Sequence, residues 1–344
     1  MKIPFFMLIL CYCLLAACNS KEPKFPIEET LKQELIPLQG ITSPFMIEVK
    51  HPFLIILNNE RSDSIFHIYD LTSNELKNVF GVKGKSIKET STPWKFYPDE
   101  FFLPVLYNTQ LSDIFIGDEI RRLVYRFGIS EDGLPVFKET KRYNDTIDNM
   151  FEAAFISDSI YVLDAQYQSP SLYILSLNKE SPRKVKQFRN PEIMDYYADP
   201  DMGRVYANEG RIALCYGWKK QIDFMDTDFN LIKRIKFKFD DPVEMTTENQ
   251  GDLKASYVYG YFGKRYLYII FFGTSWNEHR SSYRGTSLEV YDLNGNPVAR
   301  YQFDGISPSR FVVDEATFTL YGLIDLDKVG QNNNLLVYRL KGLS

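Results

Sequence analysis

The sequence predicts an all-β fold: a six-bladed β-propeller with four antiparallel strands per blade, its last blade closed by a strand from the N-terminal end of the chain. Short apolar, strand-like runs recur about 46 to 59 residues apart, a period typical of repeated blades. Each of these runs belongs to a set of up to four, and six sets of four is the arithmetic of a propeller. Aromatic residues, mostly Phe and Tyr, make up 15% of the chain, no long amphipathic helix interrupts the rhythm, and strands favour such residues.

The sets follow in order, with strands labelled A to D from the inner channel to the rim. The first is "FMIEVK" (45–50), "FLIILNN" (53–59), "SIFHIYDL" (64–71) and "ELKNVFG" (75–81). The second is "EFFLPVLY" (100–107), "SDIFIGDE" (112–119), "IRRLVYRF" (120–127) and "LPVFKETKRY" (134–143). The third runs from "MFEAAFI" (150–156) to "RKVKQF" (183–188), and the fourth from "GRVYAN" (203–208) to "LIKRIKFKF" (231–239). The fifth runs from "SYVYGYF" (256–262) to "PVARYQF" (297–303). The C-to-D links, such as "TSN" and "NGN", hold the Asn, Asp and Gly that tight hairpins need. "SEDGLPVF" (130–137) reads as one of these turns.

The sixth set has A, B and C in "SRFVVDE", "FTLYGLID" and "NLLVYRL" (334–340), and then only "KGLS". An open rim there invites aggregation. "LKQELIPLQG" (31–40) belongs to no other set, so residues 31–39 are expected to pair with 334–340. Pro37 then falls on the exposed rim, where its missing N–H does least harm.

Ahead of the ring, Lys2 is followed by an unbroken apolar run from Ile3 to Ala17. A spanning helix needs about 20 such residues, so this run reads as a secretory signal segment, 1–17. Leu15-Ala16-Ala17-Cys18 resembles a bacterial lipobox. That resemblance implies a diacylated Cys18 as the new N-terminus and a membrane partner through the acyl chains, each buried CH₂ contributing roughly 0.8 kcal/mol. Asn19, in place of an Asp retention signal, favours the outer membrane, on its periplasmic face or at the cell surface. Residues 18–29 read as a lipidated flexible tether and 30–344 as the propeller. Cys11 and Cys13 leave with the signal segment, so Cys215 is the single cysteine of the folded part, expected as a buried thiol.

"DSIYVLD" and "SLYILSLN" look like blades of the NHL-like and TolB-like propellers. "VFGVKGKSIKE" (79–89) resembles the Phe-Gly-x-x-Gly-x-Gly-Pro-x-Glu stretch of TolB-like six-bladed propeller lipoproteins of Gram-negative bacteria. Gly81, Gly84 and Glu89 fit, while Ser86 and Ile87 stand where that pattern carries Gly-Pro. The resemblance implies the six-bladed ring and carries over no catalytic residue.

Propeller connectivity puts A-to-B and C-to-D links on one face and B-to-C and D-to-A links on the other. The second set holds the long connections, 83–98, 189–203, 240–254 and 273–286, and long loops on a rigid scaffold are where function sits. It also holds all three tryptophans, Trp94, Trp218 and Trp276. In "GTSWNEHRSSYRGT", Trp276 and Tyr283 offer amphipathic rings, Arg280 and Arg284 can fork onto an anion, and His279 can titrate. These seven residues are the candidate ligand-facing set.

A formal net charge of −5, about −6 after loss of Lys2, argues against a nucleic-acid partner. The chain has no nucleophile elbow, zincin or P-loop motif, and its three histidines show no metal-ligand spacing. His67 reads as a strand residue. Asp199 with Asp201, and Asp325 with Asp327, lack the fuller oxygen set that Ca²⁺ needs. No cofactor or metal is therefore expected, and a monomer is. The function expected is that of an envelope lipoprotein acting as a binding or scaffold module for a glycan, peptide or envelope protein. The alternative is a propeller enzyme, of glycoside hydrolase or lyase type, with acids contributed by several blades.

Overall fold

The structure is a computed structural model that describes residues 24–41, 43–58, 65–81, 104–118, 123–142, 152–157, 160–164, 171–176, 183–187, 203–239, 251–278, 286–324 and 334–344. Two strands, β1 (Ile27–Lys32) and β2 (Glu34–Pro37), precede the first blade. Blade 1 is β3 (Pro44–Lys50), β4 (Phe53–Asn58), β5 (Phe66–Asp70) and β6 (Glu75–Phe80). Blade 2 is β7 (Pro104–Thr109), β8 (Ile114–Asp118), β9 (Leu123–Ile129) and β10 (Pro135–Arg142). Blade 3 is β11 (Glu152–Ser157), β12 (Ile160–Asp164), β13 (Ser171–Ser176) and β14 (Arg183–Gln187). Blade 4 is β15 (Gly203–Ala207), β16 (Ile212–Tyr216), β17 (Gln221–Met225) and β18 (Leu231–Lys236). Blade 5 is β19 (Tyr257–Phe262), β20 (Tyr266–Phe271), β21 (Ser287–Asp292) and β22 (Pro297–Asp304). Blade 6 takes β23 (Arg310–Asp314), β24 (Thr319–Leu323) and β25 (Asn334–Arg339).

Hydrogen bonding joins these strands into five sheets, because β7 and β11 pair in parallel at Ala154↔Asn108 and Phe155↔Thr109 and so fuse blades 2 and 3 into one eight-stranded sheet. Neighbouring A strands that approach this closely keep their separate blades, since each still carries its own four-stranded antiparallel ladder. The all-β propeller of four-stranded blades expected from the repeats is thus present.

Burial explains why the strands read as they do. β4, β8, β16 and β24 are buried along their whole length between adjacent blades. A strand covered on both faces shows a continuous apolar run rather than an alternation. The rim strand β6 alternates instead, with every second residue exposed up to Val79. Cores form between neighbouring blades: Ile55, Phe66, Ile114 and Phe127 join blades 1 and 2, while Cys215, Phe224 and Ile269 join blades 4 and 5. Cys215 is a buried thiol, and His67 is buried within β5. Ser130–Gly133 is the C-to-D turn of blade 2: Gly133 N–H donates to Ser130 O at 2.9 Å and Gly133 takes φ 77°, open to glycine at no steric cost.

The ring closes from both chain ends. β2 pairs antiparallel with β25, from Glu34↔Val337 to Pro37↔Asn334, and Pro37 is exposed. One feature corrects the expected boundary at residue 30. β1 adds a fifth strand to blade 5, parallel to β22 from Ile27↔Ala299 to Lys32↔Asp304, and Phe25 is already buried. Residues 25–29 therefore belong to the ring and not to the tether, and Leu31 and Lys32, expected beside 334–340, pair with Phe303 and Asp304 of β22 instead. The physical cause is the open outer edge of β22, which the chain's own strand covers. Ile27 lies near the start of β22, beside the C-to-D turn, so the chain enters the ring on the short-turn face. The C-terminal residues end on the same side, where Tyr266 Oη donates to Ser344 O at 3.0 Å.

Candidate functional site

The A strands β3, β7, β11, β15, β19 and β23 are the innermost of their blades, and along the channel they surround are two cavities. The first residues of these strands lie toward the long-loop face, and a cavity of about 120 Å³ extends from there into the channel, from Arg310, first in β23, to Ala207 and Phe262, last in β15 and β19. Met46, Val105, Val205 and Phe311 supply apolar wall on part of it. Arg204, second in β15, and Arg310, first in β23, bring cations to it. Each guanidinium lies over an aromatic ring, Arg204 over Tyr259 and Arg310 over Phe45, both at 5.6 Å from the ring centre. A cation over a ring face is attracted by the ring's quadrupole. Among the described lining residues there is no Asp or Glu. Asn108 also lines this cavity, and its buried Oδ1 has no hydrogen-bond partner.

A smaller cavity of about 50 Å³ shares Arg204 and Tyr259 with the first and is lined by Trp218 and Trp276. Trp218 is 7% exposed and part of the main core. Trp276 is half-buried and packs on Phe272 with ring centres 4.7 Å apart. The fold thus brings these two predicted tryptophans to one cavity on the long-loop side. Trp94, His279, Arg280, Tyr283 and Arg284 lie outside the described residues, as do Cys18 and the aspartate pairs at 199/201 and 325/327.

Deeper in the channel is a polar waist. Gln110 reaches from blade 2 to blade 5, its Nε2 donating to Phe262 O at 2.6 Å. Lys50 Nζ donates to Glu48 Oε1 at 2.8 Å and to Thr109 O at 2.5 Å. Burial pushes the Glu48 carboxyl above its usual range, against the attraction of Lys50, and its second oxygen has no partner. Burial also pushes the Tyr261 phenol well up, with the charge of Glu48 adding to the effect.

Beyond the waist, on the short-turn face, the channel widens into a cavity of about 540 Å³ between the A-to-B links of blades 1, 2, 5 and 6. His51, 49% exposed, places Nδ1 3.0 Å from Oδ2 of the buried Asp314. Asp314 also accepts from Ala316 N–H at 3.0 Å and Thr317 Oγ1 at 2.8 Å. Burial raises the Glu315 carboxyl above its usual range, even though it accepts from the N–H groups of Arg265 and Tyr266 and from Tyr268 Oη at 3.1 Å. These carboxylates are consumed by the turn that carries them. Metal-ligating clusters of three or more side chains are absent among the described residues.

Sequence reasoning missed Arg204, Arg310, Tyr259 and Asn108. A signal existed: "GRVYAN" and "SRFVVDE" are A strands that each open with a small residue followed by arginine. A cation at the mouth-ward end of an innermost strand points at the channel. It also missed the short-turn cavity, since Asp314 and His51 are 263 residues apart in the chain.

A family model described as TolB-like 6-blade propeller-like matches residues 23–316. Among solved structures, a member of the DUF4221 family from Bacteroides vulgatus ATCC 8482 is similar at 13% identity and a TM-score of 0.56, over 90% of this chain and 96% of that one. A candidate exported protein from Bacteroides fragilis NCTC 9343 is similar at 12% identity and a TM-score of 0.53, over 92% of this chain and 99% of that one. At these identities the likeness concerns the fold alone. No curated protein matches the chain. No described helix is long and apolar enough to cross a membrane.

Proposed function

Because the chain belongs to the TolB-like 6-blade propeller-like family, we propose that it works as a binding module of the cell envelope. In this reading the ring is held to the outer membrane by acyl chains on Cys18 and engages a glycan, peptide or envelope protein on its long-loop face. The observation that carries it is the pair of adjoining cavities there, which bring Arg204, Arg310, Tyr259, Trp218 and Trp276 together from three blades. A rigid ring with apolar, aromatic and cationic groups at one end of its channel is built to hold something rather than to transform it.

Tryptophan fluorescence, titrated with envelope glycans and peptides, tests the reading. A saturable change in the native chain that is lost in Trp276→Phe supports it. Ligands that bind without perturbing any tryptophan, and that map to the C-to-D turns, would overturn it. The alternative of a glycosidase or lyase draws support from the acids at the short-turn cavity. There Asp314 and Glu315 are engaged by local donors, whereas glycosidic chemistry needs one carboxyl free to give up a proton and another free to attack or to activate water. The binding reading is the better supported.

A further inference from the structure

We infer that the long-loop end of the channel captures the C-terminal carboxylate of a peptide ending in an apolar residue. This rests on the binding role proposed above and names its ligand class. The size of the cavity excludes a whole drug-sized ligand. Sites for complete ligands run to about 300–1,000 Å³, whereas this one is about 120 Å³. An apolar cavity of about 150 Å³ holds one benzene. The cavity therefore has room for a single side chain, and what enters it is the end of something longer.

Three unmet demands then specify that end. Arg310 presents a guanidinium with no described carboxylate to pair with, at a cavity whose described lining contains no acid. Guanidinium forks match carboxylates in two parallel hydrogen bonds, and the Arg310 guanidinium lies over the Phe45 ring, 5.6 Å from its centre. Asn108 offers a buried acceptor oxygen that has no donor. The remaining walls, including Ile47, Leu106, Val205 and Val312, require an apolar body. The C-terminal end of a peptide supplies all three: a carboxylate, backbone N–H groups and an apolar side chain. Capture of chain termini by such groups is a recurring mode of peptide recognition. A fatty acid has the charge and the apolar body but no N–H. A phosphate ion has only the charge, and a neutral glycan has neither charge nor apolar body.

The probe is N-acetyl-Ala-Ala-Phe as the free acid, compared with the same peptide as its C-terminal amide, with decanoate and with inorganic phosphate. Binding to the purified full chain is followed by isothermal titration calorimetry. The free acid should bind, and the amide at least tenfold more weakly, as expected when a charge-assisted pair is lost. Arg310→Gln should weaken the free acid at least tenfold and leave the amide unchanged. Arg310→Lys, which keeps the charge without the fork, should fall between. An unchanged melting temperature in both variants separates these effects from misfolding. Equal binding of acid and amide, no binding of the acid, or decanoate or phosphate binding as tightly as the acid would each overturn the inference. If the free acid fails while an envelope glycan or an internal peptide still changes tryptophan fluorescence, the ligand class is wrong and the binding role stands. If every ligand fails, both fall.

Discussion

Phe25→Ala separates a structured N-terminus from a flexible one. Phe25 is 5% exposed and meets the Tyr291 ring edge-on, with centres 5.6 Å apart. The Arg300 guanidinium carbon lies over its face, 4.4 Å from the ring centre, while Arg300 Nη2 pairs with the buried Glu289 at 3.1 Å. Truncating a buried phenylalanine to alanine costs about 3–5 kcal/mol. Phe25 lies at the rim, where neighbours relax into the gap, so the lower end applies, about 3 kcal/mol. In a domain this large about 2 °C of melting temperature is lost per kcal/mol, which sets the expected drop at about 6 °C. Urea and thermal unfolding of the full chain, followed by far-ultraviolet circular dichroism, measure it. Lys24→Ala, at an exposed neighbour, is the control and should shift stability by less than about 0.5 kcal/mol. If Phe25→Ala is as silent as Lys24→Ala, β1 does not lock the ring and residues before 30 act only as a tether.

Three further outcomes are expected. Cys18→Ala should move the protein from the membrane to the soluble fraction or stall its processing, read by fractionation; normal cleavage with unchanged membrane association refutes the acyl anchor. Gly117→Ala should cost about 1–3 kcal/mol by overpacking, because its new Cβ would stand 2.7 Å from Cζ of the buried Tyr107 ring; an unchanged urea midpoint refutes the close packing of β7 on β8. Burial raises the Glu315 carboxyl above its ordinary range, so the folded state holds its proton more tightly than the unfolded chain. Its contribution to stability is therefore full below about pH 4.5 and is lost as pH rises through the folded value. The stability of Glu315→Gln relative to the native chain should accordingly rise between pH 4.5 and 7.5; a difference that stays constant across that range refutes the shift.

The strand order and the closure were legible because a blade's B and C strands are buried on both faces. Runs such as "FLIILNN" and "RIALCYG" carry that double burial openly. Closure was legible by subtraction, since six sets needed a last strand and only residues 31–39 remained to supply it. β1 was not, because "IEETLK" exposes most of its length and is held by backbone pairing and one buried leucine. A strand stabilised by an edge it finds in space shows little pattern of its own. Trp218 and Trp276 were legible as a pair only by face, and the cavity they share depended on how blades 4 and 5 pack.

The sequence by itself determined the repeat, the number of blades and the chain ends that meet. Each of these follows from local chemistry: apolar periodicity, turn residues and loop length act over a few neighbours. Only the tertiary structure decided that Arg204, Arg310 and Asn108 face one cavity, that Gln110 spans the channel, and that His51 meets Asp314. These groups come from different blades, and the distances between them are set by how the wedges close around the axis, which no local pattern encodes.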